Sequence, residues 1–265
     1  MSALEARGAK LVADGKLKDR ALPSDDIVFG PPQHVMHDKF CVLDGSRVVT
    51  GSYNPSTRKH QDLVIRIESQ RIARAYAAEW TEMRGGTFGG GSSPFPATAK
   101  TANGSVSVYF CPDDPCEEVV GSYLHDAKES ILFEAYSLTS REVADALIDA
   151  EKRGIGIRGL VDKSQEGEFS KVARLKAEGI DVTEYTGDGL MHRKLFIIDG
   201  KIIIAGSANP TYSGYRSNDE NLVVIEGSDV GMAVRDQVIA DLAENARGKG
   251  ISSKIFPDET IDDKE

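Results

Sequence analysis

The chain has 265 residues, of which 40% are apolar and 28% charged, a balance that suits a soluble globular protein with one or two cores. No apolar run approaches the roughly 20 residues a membrane-crossing helix needs, and Met1 to Lys10 lacks the apolar stretch of a secretory leader. With 42 acidic against 32 basic side chains the net charge is −10, so a phosphate-bearing substrate must be held by a local basic cleft.

In chain order, the first landmark is Met36-His37-Asp38-Lys39, which runs into the apolar stretch Phe40–Leu43 and closes on Asp44-Gly45. Gly51-Ser52-Tyr53-Asn54-Pro55 follows, then Asp62-Leu63-Val64-Ile65. Ile72, Tyr76, Trp80 and Met83 fall on one stripe and predict a helix. Gly85 to Gly104 is rich in Gly, Ser and Pro and reads as a linker.

Beyond the linker, strands and helices alternate. Val106–Phe110 is a predicted strand and Glu117–Ala127 a helix, followed by a strand over Ile131–Tyr136. Thr139-Ser140-Arg141-Glu142 is a capping box opening a helix with Val143, Ala146, Leu147 and Ala150 on one face. A strand over Ile155–Val161 and a helix near Phe169–Ala177 come next. Strands are then expected around Lys194–Ile198, Lys201–Ala205 and Asn221–Ile225, and a last helix on Val230, Val234, Val238 and Leu242. This alternation implies an α/β sandwich. The residues from 250 on form an acidic tail, expected to be solvated.

The chain contains an internal repeat. Met191-His192-Arg193-Lys194, Asp199-Gly200 and Gly206-Ser207-Ala208-Asn209-Pro210 restate the first landmarks at a constant offset of 192 − 37 = 155. Downstream, Asp62-Leu63-Val64-Ile65 aligns with Asn221-Leu222-Val223-Val224 after four extra residues. Arg7-Gly8-Ala9-Lys10-Leu11-Val12 resembles Arg153-Gly154-Ile155-Gly156-Ile157-Arg158, so the first copy lacks a counterpart of Val106–Lys152. Such a half-domain should leave a sheet edge and an apolar face open, which self-association into a homo-oligomer would cover. The expected organisation is a truncated first repeat over 1–84, a linker over 85–104, a complete second repeat over 105–249 and a tail over 250–265. Localisation follows the start: cytoplasmic if Met1 is genuine, exported if a leader precedes it.

Each copy places a His and a Lys two residues apart on a strand, hence on one face. The continuous apolar runs Phe40–Leu43 and Leu195–Ile198 read as strands buried on both sides, a rigid support for a catalytic imidazole. Ser52 with Asn54, and Ser207 with Asn209, can donate to phosphoryl oxygens.

These two His-x-Lys-x4-Asp…Gly-Ser-x-Asn blocks resemble the paired HKD motifs of the phospholipase D superfamily, the second repeat being most similar to its compact bacterial endonuclease branch. The resemblance implies two pseudo-repeated α/β/α sandwiches with a mixed sheet and an active site at the repeat interface. It implies a phosphodiesterase using a phosphohistidine, with no metal and no cofactor. Carried onto this chain, it makes His37 and His192 the nucleophile and acid/base pair, with the family's N-terminal nucleophile pointing to His37. Lys39, Lys194, Asn54 and Asn209 become the phosphate clamp, Ser52 and Ser207 the motif hydroxyls, and Asp44 and Asp199 the closing acids, expected to fix local structure. Glu220 fits the acid that orients an imidazole in the second copy, whereas the first copy aligns Gln61 there, with Asp62 beside it. The expected substrate is nucleic acid, with phospholipid as the alternative; a third reading is an inactive phosphodiester-binding module.

Among the other candidates, His34 reads as a loop residue near the cleft, His60 as solvent-facing and His125 as a surface residue. Asp162-Lys163-Ser164-Gln165 either lines the cleft or simply starts a helix. Cys41 is expected to be a buried small hydrophobe, and Cys111 and Cys116 either bridge or remain free thiols.

Overall fold

A computed structural model describes residues 9–20, 26–54, 60–92 and 97–246; the expected acidic tail lies outside them. The centre is a mixed eight-stranded sheet in the order β10-β9-β8-β11-β12-β13-β7-β6. Its strands are β6 (Thr98–Thr101), β7 (Gly104–Cys111), β8 (Ser130–Ala135), β9 (Gly156–Asp162), β10 (Asp181–Tyr185), β11 (Lys194–Ile198), β12 (Ile202–Gly206) and β13 (Glu220–Gly227). β8, β9 and β10 run parallel and the remaining neighbours antiparallel.

One face of this sheet packs on α2 (Cys116–Asp126), α3 (Arg141–Lys152), α4 (Val172–Ala177) and α5 (Tyr212–Arg216), through residues such as Val120, Leu147, Leu175 and Tyr215. The other face packs on α6 (Ser228–Ala246) through Val234, Val238 and Leu242, and on α1 (Gln70–Arg84) through Ile72, Ala73 and Tyr76. Beyond them lies a three-stranded sheet of β3 (Phe40–Leu43), β4 (Arg47–Gly51) and β5 (Val64–Glu68), whose Val48 and Ile67 join the same core. Two short parallel strands, β1 (Leu11–Ala13) and β2 (Ile27–Phe29), form a separate ribbon.

Among the described residues the first repeat therefore has a sheet with one helical layer, and the second a sheet with two. Cys41, Leu43 and Val64 are exposed on the uncovered face, whereas their counterparts Phe196, Ile198 and Leu222 are buried under α2 and α3. Two expectations are corrected. β3 is not buried on both sides, and Cys41 is exposed rather than buried, because no helix among the described residues of the first repeat covers that face. Part of the expected linker is strand, since β6 extends the large sheet along β7. β10 carried no period of its own in the sequence, and its parallel pairing with β9 places it.

Local chemistry sets the ends of these elements. Ser69 caps α1 by accepting from the Ile72 amide at 3.1 Å. Ser140, not Thr139, caps α3, accepting from Val143 at 3.0 Å while its hydroxyl donates to Glu117 at 2.6 Å. Cys111 and Cys116 form a disulfide between the end of β7 and the start of α2.

Candidate active site

Two short crossings join the repeats. His37 N donates to Asp219 O at 3.0 Å and Asp219 N to Val35 O at 3.0 Å, forming a parallel bridge between Met36 and Asp219. The same pattern recurs with Gln61 N donating to Leu190 O at 2.7 Å and His192 N to Gln61 O at 2.9 Å. Gln61 is thus the counterpart of Asp219, and Asp62 of Glu220, at an offset of 220 − 62 = 158. The downstream alignment read from sequence was therefore one residue out: the second copy carries three extra residues, not four.

The crossings deliver each carboxylate to the other repeat's imidazole. His37 Nδ1 lies 2.7 and 2.8 Å from the Glu220 carboxylate oxygens, and His192 Nδ1 lies 2.8 Å from Asp62 Oδ1. A carboxylate on Nδ1 fixes the tautomer and leaves Nε2 for chemistry. Burial works to raise both carboxyls. For Glu220 the charge of His37 and its hydrogen bond outweigh burial, and for Asp62 the hydrogen bonds from His192 and Ser52 do so; both lie below their ordinary values.

The serines serve these carboxylates. Ser52 Oγ donates to Asp62 at 2.8 Å and accepts from Leu63 N; Ser207 Oγ donates to Glu220 at 2.6 Å and accepts from Asn221 N. Both are fully buried. Their expected phosphate-binding role is corrected, because hydroxyls so engaged and buried position the acids instead. Gly51 and Gly206 allow this packing: a Cβ there would lie 2.2 Å from the carbonyl oxygen of Leu63 or Asn221.

Lys39 and Lys194 donate to the carbonyls of His37 and His192, at 2.5 and 2.6 Å. Burial lowers both, and the proximity of Lys39 helps bring Lys194 to about 7. Burial also lowers His192, and the nearby Lys194 works in the same direction against the Asp62 hydrogen bond. Tyr136 sets its ring edge-on to His192 at 4.9 Å and 5.1 Å from Lys194 Nζ, and Gln165 donates to its hydroxyl at 3.0 Å. Asn54 and Asn209 are half-buried at the motif ends, and Asn209 Oδ1 is buried with no partner.

The residues between each His and Lys differ in kind. Arg193 is buried with Glu134 and Asp241, at 3.0 and 2.7 Å, tying β8 and α6 to the motif. Its counterpart Asp38 accepts from Asn221 Nδ2 at 2.6 Å, and burial pushes its carboxyl up to about 8. Asn221 is a hub: its Oδ1 also accepts from Thr50 at 2.8 Å and Tyr76 at 3.1 Å.

Asp44 and Asp199, the closing acids of the motif, stand at the far ends of β3 and β11 in left-handed conformation, each followed by a left-handed glycine as a tight hairpin turn requires. Asp199 accepts from the amides of Lys128, Glu129 and Ser130, while Asp44 pairs with Arg47. A strand's length separates them from the imidazoles, and the partners they hold are local to the turns.

His34 packs against Gly89 beside Asp219, next to the crossing, and His125 is exposed against Asp126. Asp162 accepts from Ser164 N and from Met191 N, holding the entry to the second motif. His60 is half-buried rather than fully solvent-facing. Its ring lies 5.6 Å from that of His192, its Nδ1 is buried without a partner among the described residues, and it can present a donor atom within 4.8 Å of donors from Asp62 and His192. No sequence pattern could place it there, since the contact depends on the crossing at Gln61.

A profile of the family described as "Cardiolipin synthase, PLD-like domain" matches residues 13–84 and 120–244. A phospholipase D of Rickettsia prowazekii (strain Madrid E) is 36% identical over 129 residues, 48% of this chain and 63% of its own, so this chain spans less than two thirds of that relative. Among solved structures, the phospholipase D family member Nuc of Salmonella typhimurium is 26% identical, covering 52% of this chain and 93% of its own at a TM-score of 0.49. The phosphatidylserine synthase of Haemophilus influenzae Rd KW20 shares the fold at 15% identity, covering 88% of this chain and 67% of its own, with a TM-score of 0.58.

Proposed function

The chain belongs to the phospholipase D-like domain family, and from that premise we propose that it is a metal-independent phosphodiesterase acting through a phosphohistidine on nucleic acid. The crossed pairing of His37 with Glu220 and His192 with Asp62 carries this reading, because it builds one site from two motifs. Each imidazole is oriented for transfer at Nε2, and the half-buried Lys39 and buried Lys194 supply the positive charge a phosphoryl group requires.

The nucleophile has to be a neutral imidazole and the acid a protonated one. Burial and the neighbouring lysine favour neutral His192, so His192, rather than the His37 of the family habit, attacks phosphorus in this scheme. The bond to the leaving oxygen breaks as that oxygen takes a proton from His37. Water then attacks the phosphohistidine, His37 takes the water proton, and the P–N bond to His192 breaks. Lys39, Lys194, Asn54 and Asn209 hold the non-bridging oxygens.

Exposed aromatics support a nucleic-acid substrate. Exposed Tyr53 lies within the first motif just after β4, exposed Tyr212 opens α5 just after the second motif, and Tyr136 edges the pocket. Aromatic faces stack bases of any sequence, which suits a single strand. Phospholipid headgroups are the second reading, carried by the likeness to a phospholipase D. The test is incubation in EDTA with a fluorescent single-stranded oligonucleotide and, in parallel, with phosphatidylcholine vesicles, using His192→Asn as control. Oligonucleotide cleavage lost in the control supports the nuclease reading. Choline release alone transfers the assignment to phospholipase D, and inertness toward both contradicts the enzymatic reading.

A further inference from the structure

We infer that His60, Asp62 and His192 form an inhibitory site for a transition-metal ion of the zinc type, set against the imidazole that does the chemistry. The three side chains present donor atoms within 4.8 Å of one another. Ligands around a tetrahedral zinc lie about 2.0–2.2 Å from the metal and so about 3.4 Å from one another, a separation that side-chain rotations must bring these donors to. The site is empty.

The chemistry of the set selects the ion. Two imidazoles and one carboxylate suit zinc, copper or nickel, whereas magnesium and calcium prefer oxygen donors. Asp62 Oδ1 lies 2.8 Å from His192 Nδ1 and accepts from Ser52 Oγ at 2.8 Å, so the carboxylate is held facing the imidazole. His60 brings a buried Nδ1 with no hydrogen-bond partner among the described residues. Its ring lies against His192 at 5.6 Å, tilted by 50°.

The other half of the site lacks this arrangement. At the offset of 158, His60 corresponds to Asn218, whose Nδ2 donates to Glu220 Oε1 at 3.3 Å. The His37–Glu220 pair thus has an amide where the His192–Asp62 pair has a second imidazole. The pseudo-symmetry is broken at the one position that converts an orienting pair into three ligands.

Occupation stops the reaction by a defined route. If the ion takes Nδ1, the single proton of the neutral imidazole moves from Nδ1 to Nε2; if it takes Nε2, the proton stays on Nδ1 toward Asp62 and the Nε2 lone pair is engaged. In both cases the lone pair that attacks phosphorus is lost. The fourth metal position stays open to water or to a phosphoryl oxygen. Such an enzyme is active in EDTA and silenced by zinc.

The inhibitory half of this inference rests on the proposed phosphodiesterase; the binding half does not. The experiment is calorimetric titration of the chelator-stripped full chain with zinc chloride, alongside turnover assays over the same zinc range. The wild type should bind one zinc per chain, with magnesium giving no heat of binding. His60→Asn copies the residue already present at the matching position and should weaken zinc by about tenfold or more, moving half-inhibition by the same factor. His125→Asn, on an exposed histidine, should change neither. Equal zinc affinity in wild type and His60→Asn, or zinc bound with turnover undiminished, overturns the inference. Zinc binding that depends on His60 in a chain without turnover upholds the site and instead removes the proposed activity.

Discussion

At the scale of single residues, the site is short of protons before substrate arrives. Burial brings Lys194 to about 7, so near neutral pH much of it is uncharged. A bound phosphate favours the ammonium, so binding should take up protons. Calorimetric titration with inorganic phosphate at pH 7.5, in buffers of different ionisation enthalpy, should show net uptake that shrinks in Lys194→Gln. Proton release in the wild type would contradict this account. His192 is lowered from its ordinary 6.5 by burial, so it stays neutral to more acidic pH than a free histidine. The acid limb of kcat/KM should accordingly lie below about 6.5. Asp62→Asn keeps the shape but loses the charge that holds the tautomer, and kcat should fall by about 10²- to 10⁴-fold.

At the scale of elements, the repeats are joined by polar contacts that are buried and therefore demanding. Asn221 of β13 serves Asp38, Thr50, Tyr76 and Ser207 together. Asn221→Leu should cost about 2–3 kcal/mol in denaturant unfolding, since it strands buried partners; a loss below about 0.5 kcal/mol would refute the hub. Glu79 of α1 is pushed up to about 9, first by burial and then by Asp38, Asp113, Glu82 and Asp219. The native state thus holds a proton that the unfolded chain releases near 4.5, and this contribution to stability declines as pH rises from about 4.5 to 9. Glu79→Gln removes that decline, so its Tm relative to wild type should climb across the same window. The elements carrying these groups were largely legible in the sequence, because helical stripes and apolar strand runs are local signals. The partners were not. That Glu220 serves His37, and Asp62 serves His192, depends on two crossings between segments 183 and 130 residues apart, and a one-residue error in the downstream alignment was enough to put Gln61 in place of Asp62.

At the scale of the molecule, two copies of one motif sit in unequal frames. Ile198 is buried between sheet and helices, while its counterpart Leu43 is 42% exposed. Ile198→Ala should cost about 2–5 kcal/mol and Leu43→Ala about 1 kcal/mol or less, measured by denaturant unfolding. The sequence announced this asymmetry through the missing counterpart of Val106–Lys152, yet both imidazole–carboxylate pairs form, because they need only the strands, the crossings and the two carboxylates. One shared site is the central claim, and trapping the covalent intermediate tests it most directly. Wild-type chain should be mixed with substrate in EDTA, quenched within one turnover, and mapped by mass spectrometry under conditions that preserve phosphohistidine. The account predicts at most one phosphoryl adduct per chain, on His192, absent from His192→Asn and also lost when Glu220→Gln disables the opposite imidazole. Adducts on both histidines of the same chain, or undiminished labelling of His37 in His192→Asn, would show two independent sites and contradict it.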